Sequence, residues 1–190
     1  MSDMTKAAEI VRRYAVISIA WILLLFPLSA SAETFAGTVV AVSDGDTITV
    51  LDAAKTQHKV RLSGIDAPEK SQPFGNKAKE ALSGLVFRKA VLVEWHKRDR
   101  YGRLIGKVMV SPPDAACQKQ DCPKTLDVSL TLVTAGLAWH YKRFEKEQSQ
   151  EDRTRYAFAE QEARARKAGL WRDPSPVPPW DWRKGKGRHK

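Results

Sequence analysis

The chain has 190 residues, 43% hydrophobic and 28% charged, which suits a soluble globular protein with one sizeable core rather than a disordered or fibrous chain. Lys and Arg number 32 against 22 Asp and Glu, a formal net charge of +10. That surplus favours polyanionic partners, either nucleic acid or an anionic membrane surface, and does not choose between them.

Residues 1–32 read as an export signal. Arg12 and Arg13 precede the apolar run Ala15–Phe26, and Ala30-Ser31-Ala32 follows Pro27 as a small-x-small cleavage site. Cleavage after Ala32 would make Glu33 the first mature residue and leave a net charge of +9, since the segment carries three bases and two acids. The expected location is therefore secreted or periplasmic. The alternative is an uncleaved membrane anchor, but the run is short for about 30 Å of hydrocarbon. The Arg-Arg pair suggests a twin-arginine signal, while the strongly apolar core favours the general export route.

Three short apolar stretches follow. Phe35–Val42 is rich in valine, Thr47–Leu51 alternates through Ile48 and Val50, and His58–Leu62 alternates through Val60 and Leu62. Turn residues separate them, so they read as an antiparallel meander. Ala78, Ala81, Leu82 and Leu85 then fall at helical spacing, with Asn76 as a possible cap. Two further strands are expected over Ala90–Trp95 and Leu104–Val110, joined by Asp99-Arg100-Tyr101-Gly102. The expected fold is α+β, a five-stranded Greek-key β-barrel of the oligonucleotide-binding type with three helices.

Ser111–Lys124 reads as a loop. Its Cys117 and Cys122 are the chain's only cysteines, and in an oxidising compartment they form a local disulfide worth about 2 kcal/mol. Asp127 caps a short helix reaching Ala135, which Gly136 ends. A longer helix is expected from about Gln148 to Ala168, braced by Glu151/Arg155, Glu160/Arg164 and Glu162/Arg166 and stopped by Gly169. Three parts result: signal 1–32, domain 33–171 and tail 172–190. The tail has four prolines, two tryptophans and five bases in its last eight residues, without periodicity, and is expected to be extended or disordered.

The acidic residues suggest chemistry. Asp44-Gly45-Asp46-Thr47 lies at a turn between strands, and Asp66-Ala67-Pro68-Glu69 lies just past the third strand. If the second and third strands pair as a hairpin, Asp46 faces Asp66 with Glu69 close by. Converging carboxylates repel unless a cation joins them, and hard oxygen ligands specify Ca2+ or Mg2+. Each motif alone is also an ordinary turn or helix start. Arg61 stands between Val60 and Leu62, and alternation turns it to their opposite side; Arg103 heads the fifth strand. A guanidinium donates two hydrogen bonds to the charge that develops on a phosphodiester in its transition state. One metal, one free carboxylate and two arginines suffice for phosphoryl-transfer hydrolysis.

In this order and spacing, Asp44–Thr47, Arg61–Glu69 and Asp99–Arg103 resemble the staphylococcal nuclease (thermonuclease) family, and Gly136-Leu137-Ala138 and Gly169-Leu170-Trp171 extend the likeness over residues 34–171. The resemblance implies Ca2+ held by Asp46, Asp66 and the backbone carbonyl of Ala67, where the founding member has threonine, with Asp44 as an outer carboxylate. It implies Glu69 as general base, Arg61 and Arg103 as the arginines that stabilise the transition state, and Arg100 and Tyr101 as contacts to a neighbouring phosphate. Trp139 and Tyr141 lie near the family's base-stacking tyrosines, although spacing leaves the register open and core packing is the competing role. The implied activity is hydrolysis of DNA and RNA with little base specificity, the 5′-oxygen leaving and products bearing a 3′-phosphate. The implied substrate is single-stranded or locally melted and the protein a monomer without an obligate protein partner, touching membrane only if the signal stays attached. One alternative is a non-catalytic single-strand-binding barrel. Another is an envelope-interaction protein working through its basic, Trp-rich tail.

Overall fold

Alternating β-branched and polar residues build the first half of the fold. The computed structural model describes residues 33–117 and 121–187; the expected signal at 1–32 lies outside the described residues. Strands β1 (Glu33–Val42), β2 (Thr47–Asp52) and β3 (Gln57–Leu62) form the antiparallel meander. Ile48, Val50, Val60 and Leu62 are fully buried, and the residues between them face the other side. After the short β4 (Ile65–Asp66) and helix α1 (Gly75–Val86), β5 (Ala90–Arg98) pairs with β1, and β6 (Leu104–Val110) pairs with β5. Strand β6 also pairs in parallel with β3, which closes β1, β2, β3, β5 and β6 into a barrel. This is the expected α+β fold of oligonucleotide-binding type.

The barrel interior and the inner face of α1 share one core, in which Val39, Val93, Leu104 and Val108 meet Ala78, Leu82 and Val86. Full burial of each large aliphatic side chain contributes about 1.5–3 kcal/mol. Asn76 does not cap α1. Phe74, in a left-handed conformation without a side-chain cap bond, precedes the first turn. A Cβ on Gly75 would lie 1.9 Å from the carbonyl oxygen of Glu69, so the helix start is pressed against the segment carrying Glu69.

Strand β7 (Leu126–Asp127) leads into α2 (Val128–Thr134), and β8 (Trp139–His140) pairs with β4. Helix α3 (Gln150–Ala165) is shorter at both ends than its sequence pattern suggests, because Ser149 caps it by accepting from Asp152 N and the chain turns left-handed at Lys167. Glu151–Arg155 and Glu160–Arg164 pair at 3.8 and 3.5 Å, whereas Arg166 donates to the backbone carbonyls of Glu162 and Thr134. Asp127 caps α2 through Leu130 N, and both its oxygens lie within 3.1 Å of the Tyr156 hydroxyl. Cys117 and Cys122 are joined as a disulfide, their Cα atoms 5.7 Å apart.

The two late glycine motifs touch each other. Gly136 has φ +65°, a Cβ there would stand 2.3 Å from the carbonyl of Ala168, and Leu170 N donates to the carbonyl of Gly136 at 2.8 Å. This contact seats a second apolar cluster of Trp139, Ala163, Leu170 and Trp171. The tail is not wholly extended. Pro179–Gly187 forms a fourth α-helix, α4, where three helices were expected. Pro179 suits a first helical turn, and Asp181 lies in that turn. Nine residues are too few for a visible apolar period, so docking rather than local pattern accounts for this helix. No described helix is long and apolar enough to cross a membrane.

Candidate active site

The β2–β3 ladder places Thr47 opposite Arg61, and Leu62 N donates to the carbonyl of Asp46 at 2.8 Å. The residue before β2 and the end of β3 are thereby locked side by side. Arg61 Nη2 donates to Asp66 Oδ1 at 2.8 Å and to Asp46 Oδ2 at 3.2 Å, so one nitrogen bridges the two carboxylates. Both acids are buried, Asp66 completely and Asp46 to 7% exposure. Asp46 also accepts from Thr47 Oγ1 and from Ala67 N, which ties the two acidic segments together.

Burial raises the Asp66 carboxyl above its usual range, even though Arg183 and Arg61 work in the opposite direction. Asp44 is raised by burial and then by the charge of Asp46, whose backbone N–H it accepts at 3.1 Å. For Arg61, burial disfavours the charge, but Asp46 and Asp66 outweigh it and its pKa is raised.

Glu69 is held through its backbone. Its N–H donates to Gln72 Oε1 at 3.1 Å, and its carbonyl accepts from Gln72 N at 2.8 Å. The side chain reaches into the cleft, with 39% exposure. On the opposite wall, Asp99 organises the β5–β6 turn by accepting from Tyr101 N and Arg103 N, and it takes the Arg103 Nε at 2.8 Å. Burial of Asp99 is outweighed by these hydrogen bonds, which lower its pKa. Arg103 Nη1 also reaches Thr47 Oγ1 at 3.4 Å, next to Asp46. Tyr101 is 68% exposed, with Arg100 and Arg103 lying over its ring at 4.9 and 5.6 Å.

Asp44, Asp46, Arg61, Asp66, Ala67, Glu69, Arg100, Tyr101 and Arg103 all line one cleft of about 590 Å3. Tyr141 lines it too, with the Arg61 guanidinium 5.9 Å from its ring. Trp139 does not line that cleft. It is 7% exposed, packs edge-on against Trp171 at 4.4 Å and helps form an adjoining groove. Among the described residues, no group of three or more His, Cys, Asp or Glu side chains converges as a ready metal cage. The positive charge between the carboxylates comes from arginine.

The structure adds residues that the sequence did not single out. Arg183, from α4, donates to Asp66 Oδ2 at 2.7 Å and to Glu69 Oε1 at 2.7 Å. Burial disfavours its charge, but the bonds to Asp66 and Glu69 raise its pKa. Gln72 is the second addition, as the holder of the Glu69 backbone. The available sequence signal for Arg183 was its spacing from Trp180, three residues apart on a segment opened by proline.

Comparison with known proteins agrees with this geometry. A family model described as staphylococcal nuclease homologue matches residues 59–173. A micrococcal nuclease of Shigella flexneri is 39% identical over 163 residues, covering 86% of this chain and 88% of its own length. An uncharacterized endonuclease of Haemophilus influenzae is 38% identical over 165 residues, with 86% and 82% covered. Protein ParB of Escherichia coli is 42% identical over 174 residues, with 91% and 93% covered. The barrel and its cleft of paired acids and arginines are those of a nuclease fold. The chain belongs to the staphylococcal nuclease family.

Proposed function

We propose that this nuclease is exported and calcium-dependent, and that it hydrolyses phosphodiester bonds of DNA and RNA in single-stranded or locally melted segments. The carrying observation is that Glu69, Arg61 and Arg103 line the same cleft as the buried pair Asp46 and Asp66. A catalytic reading accounts for every one of these groups; a purely binding barrel has no use for buried acids facing a polyanion.

The donor set fits a hard cation. Two carboxylates that share a single guanidinium nitrogen already need positive charge between them, and their oxygens are the hard ligands Ca2+ prefers. Asp46, Asp66 and the Ala67 carbonyl would hold Ca2+, with Asp44 outside them. When bound, the ion neutralises charge on the phosphate and polarises it toward attack.

The chain's own groups supply the rest. Glu69 accepts a proton from the attacking water. Oxygen of that water bonds to phosphorus, the bond from phosphorus to the 5′-oxygen breaks, that oxygen takes a proton from solvent to leave as a hydroxyl, and the phosphate remains on the 3′ side. Arg61 and Arg103 donate to the non-bridging oxygens, where charge accumulates. Arg100 and Tyr101 contact the next phosphate, and Tyr141 offers a face for a base, which tolerates any base.

Export rests on the signal pattern of residues 1–32, and β1 begins at Glu33, the first residue after the proposed cleavage. The test is a nuclease assay on single-stranded DNA and RNA, with Ca2+ and with chelator, reading the phosphate end of the products. Activity that needs Ca2+, leaves 3′-phosphate and is lost in Glu69→Gln is the expected result. Unchanged cleavage by Glu69→Gln would overturn the mechanism, and full activity in chelator would overturn the calcium assignment.

A further inference from the structure

The hydrolytic reading gives residues 172–190 no task, yet this segment is anchored at three points around the cleft. Gln72 Nε2 donates to the carbonyl of Val177 at 2.5 Å. Trp180 stacks on Tyr141, with ring centroids 5.3 Å apart and planes 19° from parallel, and meets Trp139 edge-on at 5.6 Å. Arg183 spreads its guanidinium over Asp66 and Glu69. Two of these anchors occupy places that the chemistry reserves for something else. The fork of Arg183 puts positive charge on the carboxylates that hold a cation and accept a proton. The indole of Trp180 puts a flat ring on the aromatic face suited to a nucleobase.

We infer that α4 is an internal competitor for the active site, with Arg183 standing in for the metal cation and Trp180 for a nucleobase, so that both must withdraw before cation and strand can enter. The inference rests on the calcium-nuclease reading of the cleft. Arg61 takes Asp66 Oδ1 and leaves Oδ2 open, so Arg183 on Oδ2 occupies the oxygen a dication would need and adds a like charge beside it. Trp180 and a base cannot cover the same face of Tyr141.

The docking is weak enough to be reversed. A nine-residue helix does not stand alone in water, so α4 persists only while it is docked. The Arg183 side chain is 43% exposed and its partner Glu69 39%, so water screens the outer half of this contact and only the Asp66 end is buried. A cation and a strand binding together would outcompete the helix, whereas a cation alone at low concentration would not. The nuclease would then cut only where both are abundant.

A tail that merely attracts polyanions predicts the opposite response to substitution, which makes the test sharp. The unaltered protein, Arg183→Gln and Trp180→Ala are each titrated with Ca2+ alone by calorimetry. Each is also titrated with a short single-stranded oligodeoxynucleotide in chelator, by fluorescence anisotropy. A helix docked nine-tenths of the time weakens an incoming ligand about tenfold, so Arg183→Gln should tighten Ca2+ and Trp180→Ala should tighten the oligonucleotide by about that factor. Amide exchange over residues 179–187 of the unaltered protein should speed up when Ca2+ and oligonucleotide are added together.

Oligonucleotide binding that weakens in both variants would overturn the competition in favour of a polyanion-binding arm. Measurable but equal Ca2+ affinities, with unchanged amide exchange, would overturn the competition alone. Failure of all three forms to bind Ca2+ would overturn the cation half together with the calcium reading, so the two failures are distinguishable.

Discussion

Thr47 and Arg61 stand directly opposite each other across β2 and β3, and this pairing sets the Arg61 guanidinium between Asp46 and Asp66. The bridge keeps two buried acids from facing each other uncompensated. Arg61→Ala should therefore lower kcat by about 10²–10³, the scale for loss of one preorganised donor to a transition state. It should also destabilise the metal-free protein by about 1.5–3 kcal/mol, as expected for hydrogen bonds to charged groups. Saturating Ca2+ should restore part of that stability in the variant. Urea melts with and without Ca2+ check the second claim, and steady-state rates check the first.

Asp99 aims Arg103 without lining up for chemistry itself. It holds the Arg103 backbone N–H and Nε together, so losing it frees the guanidinium rather than removing it. Asp99→Ala should cost between about tenfold and a hundredfold in kcat, the range for a misplaced catalytic group. KM should change less than kcat. The pair of constants for Asp99→Ala and Asp99→Asn checks this, because Asn can still accept from the backbone.

The close approach of Gly136 to the Ala168 carbonyl leaves no room for a methyl group. Gly136→Ala combines a positive φ with that clash and should destabilise the fold by about 1–3 kcal/mol. Denaturant unfolding measures it. The effect should fall on stability and leave the cleft's KM within a factor of a few, since Gly136 lies outside the cleft's lining.

Tyr156 predicts a feature of the alkaline limb. Burial and then the Asp127 carboxylate raise its pKa far above the ordinary value of 10.0. A raised folded pKa means stability that is complete below the unfolded value and drains away as pH climbs past it. Stability should thus fall above pH about 10, where the unfolded chain releases the phenolic proton and the native one keeps it. Tyr156→Phe should be less stable at neutral pH by about 1 kcal/mol through the lost hydrogen bond. Its curve should also be flatter between pH 10 and 12. Melting curves of both forms across that range decide the matter.

Much of this was legible in the chain itself. The barrel strands are short and alternate cleanly, so Ile48, Val50, Val60 and Leu62 announced their faces, and Arg61 announced the opposite one. Asp127 announced its helix because an N-cap is a local device, readable within four residues. The misses have a common physical origin. The start of α1 at Phe74 is set by a left-handed turn imposed by packing on the Glu69 segment, not by a capping side chain. Helix α4 carries no period of its own, and its contacts are long-range, so Arg183 reaches Asp66 across 117 positions of sequence. Trp139 and Tyr141 are two residues apart, and only long-range packing, Trp139 against Trp171 and Tyr141 beside Arg61, separates the one that lines the cleft from the one that does not.

The parallel seam between β3 and β6 has a consequence for the life of the chain before it is folded. Arg61 lies opposite Ile105 in that seam, and Arg103 immediately precedes β6, so the two arginines belong to strands joined by the barrel's closure. Contacts so distant along the chain are closed at an entropic cost. A chain in which this seam is open holds Arg61 and Arg103 without the geometry that brings them to one cleft. Its cleft is completed by closure of the barrel rather than by any one segment of the chain.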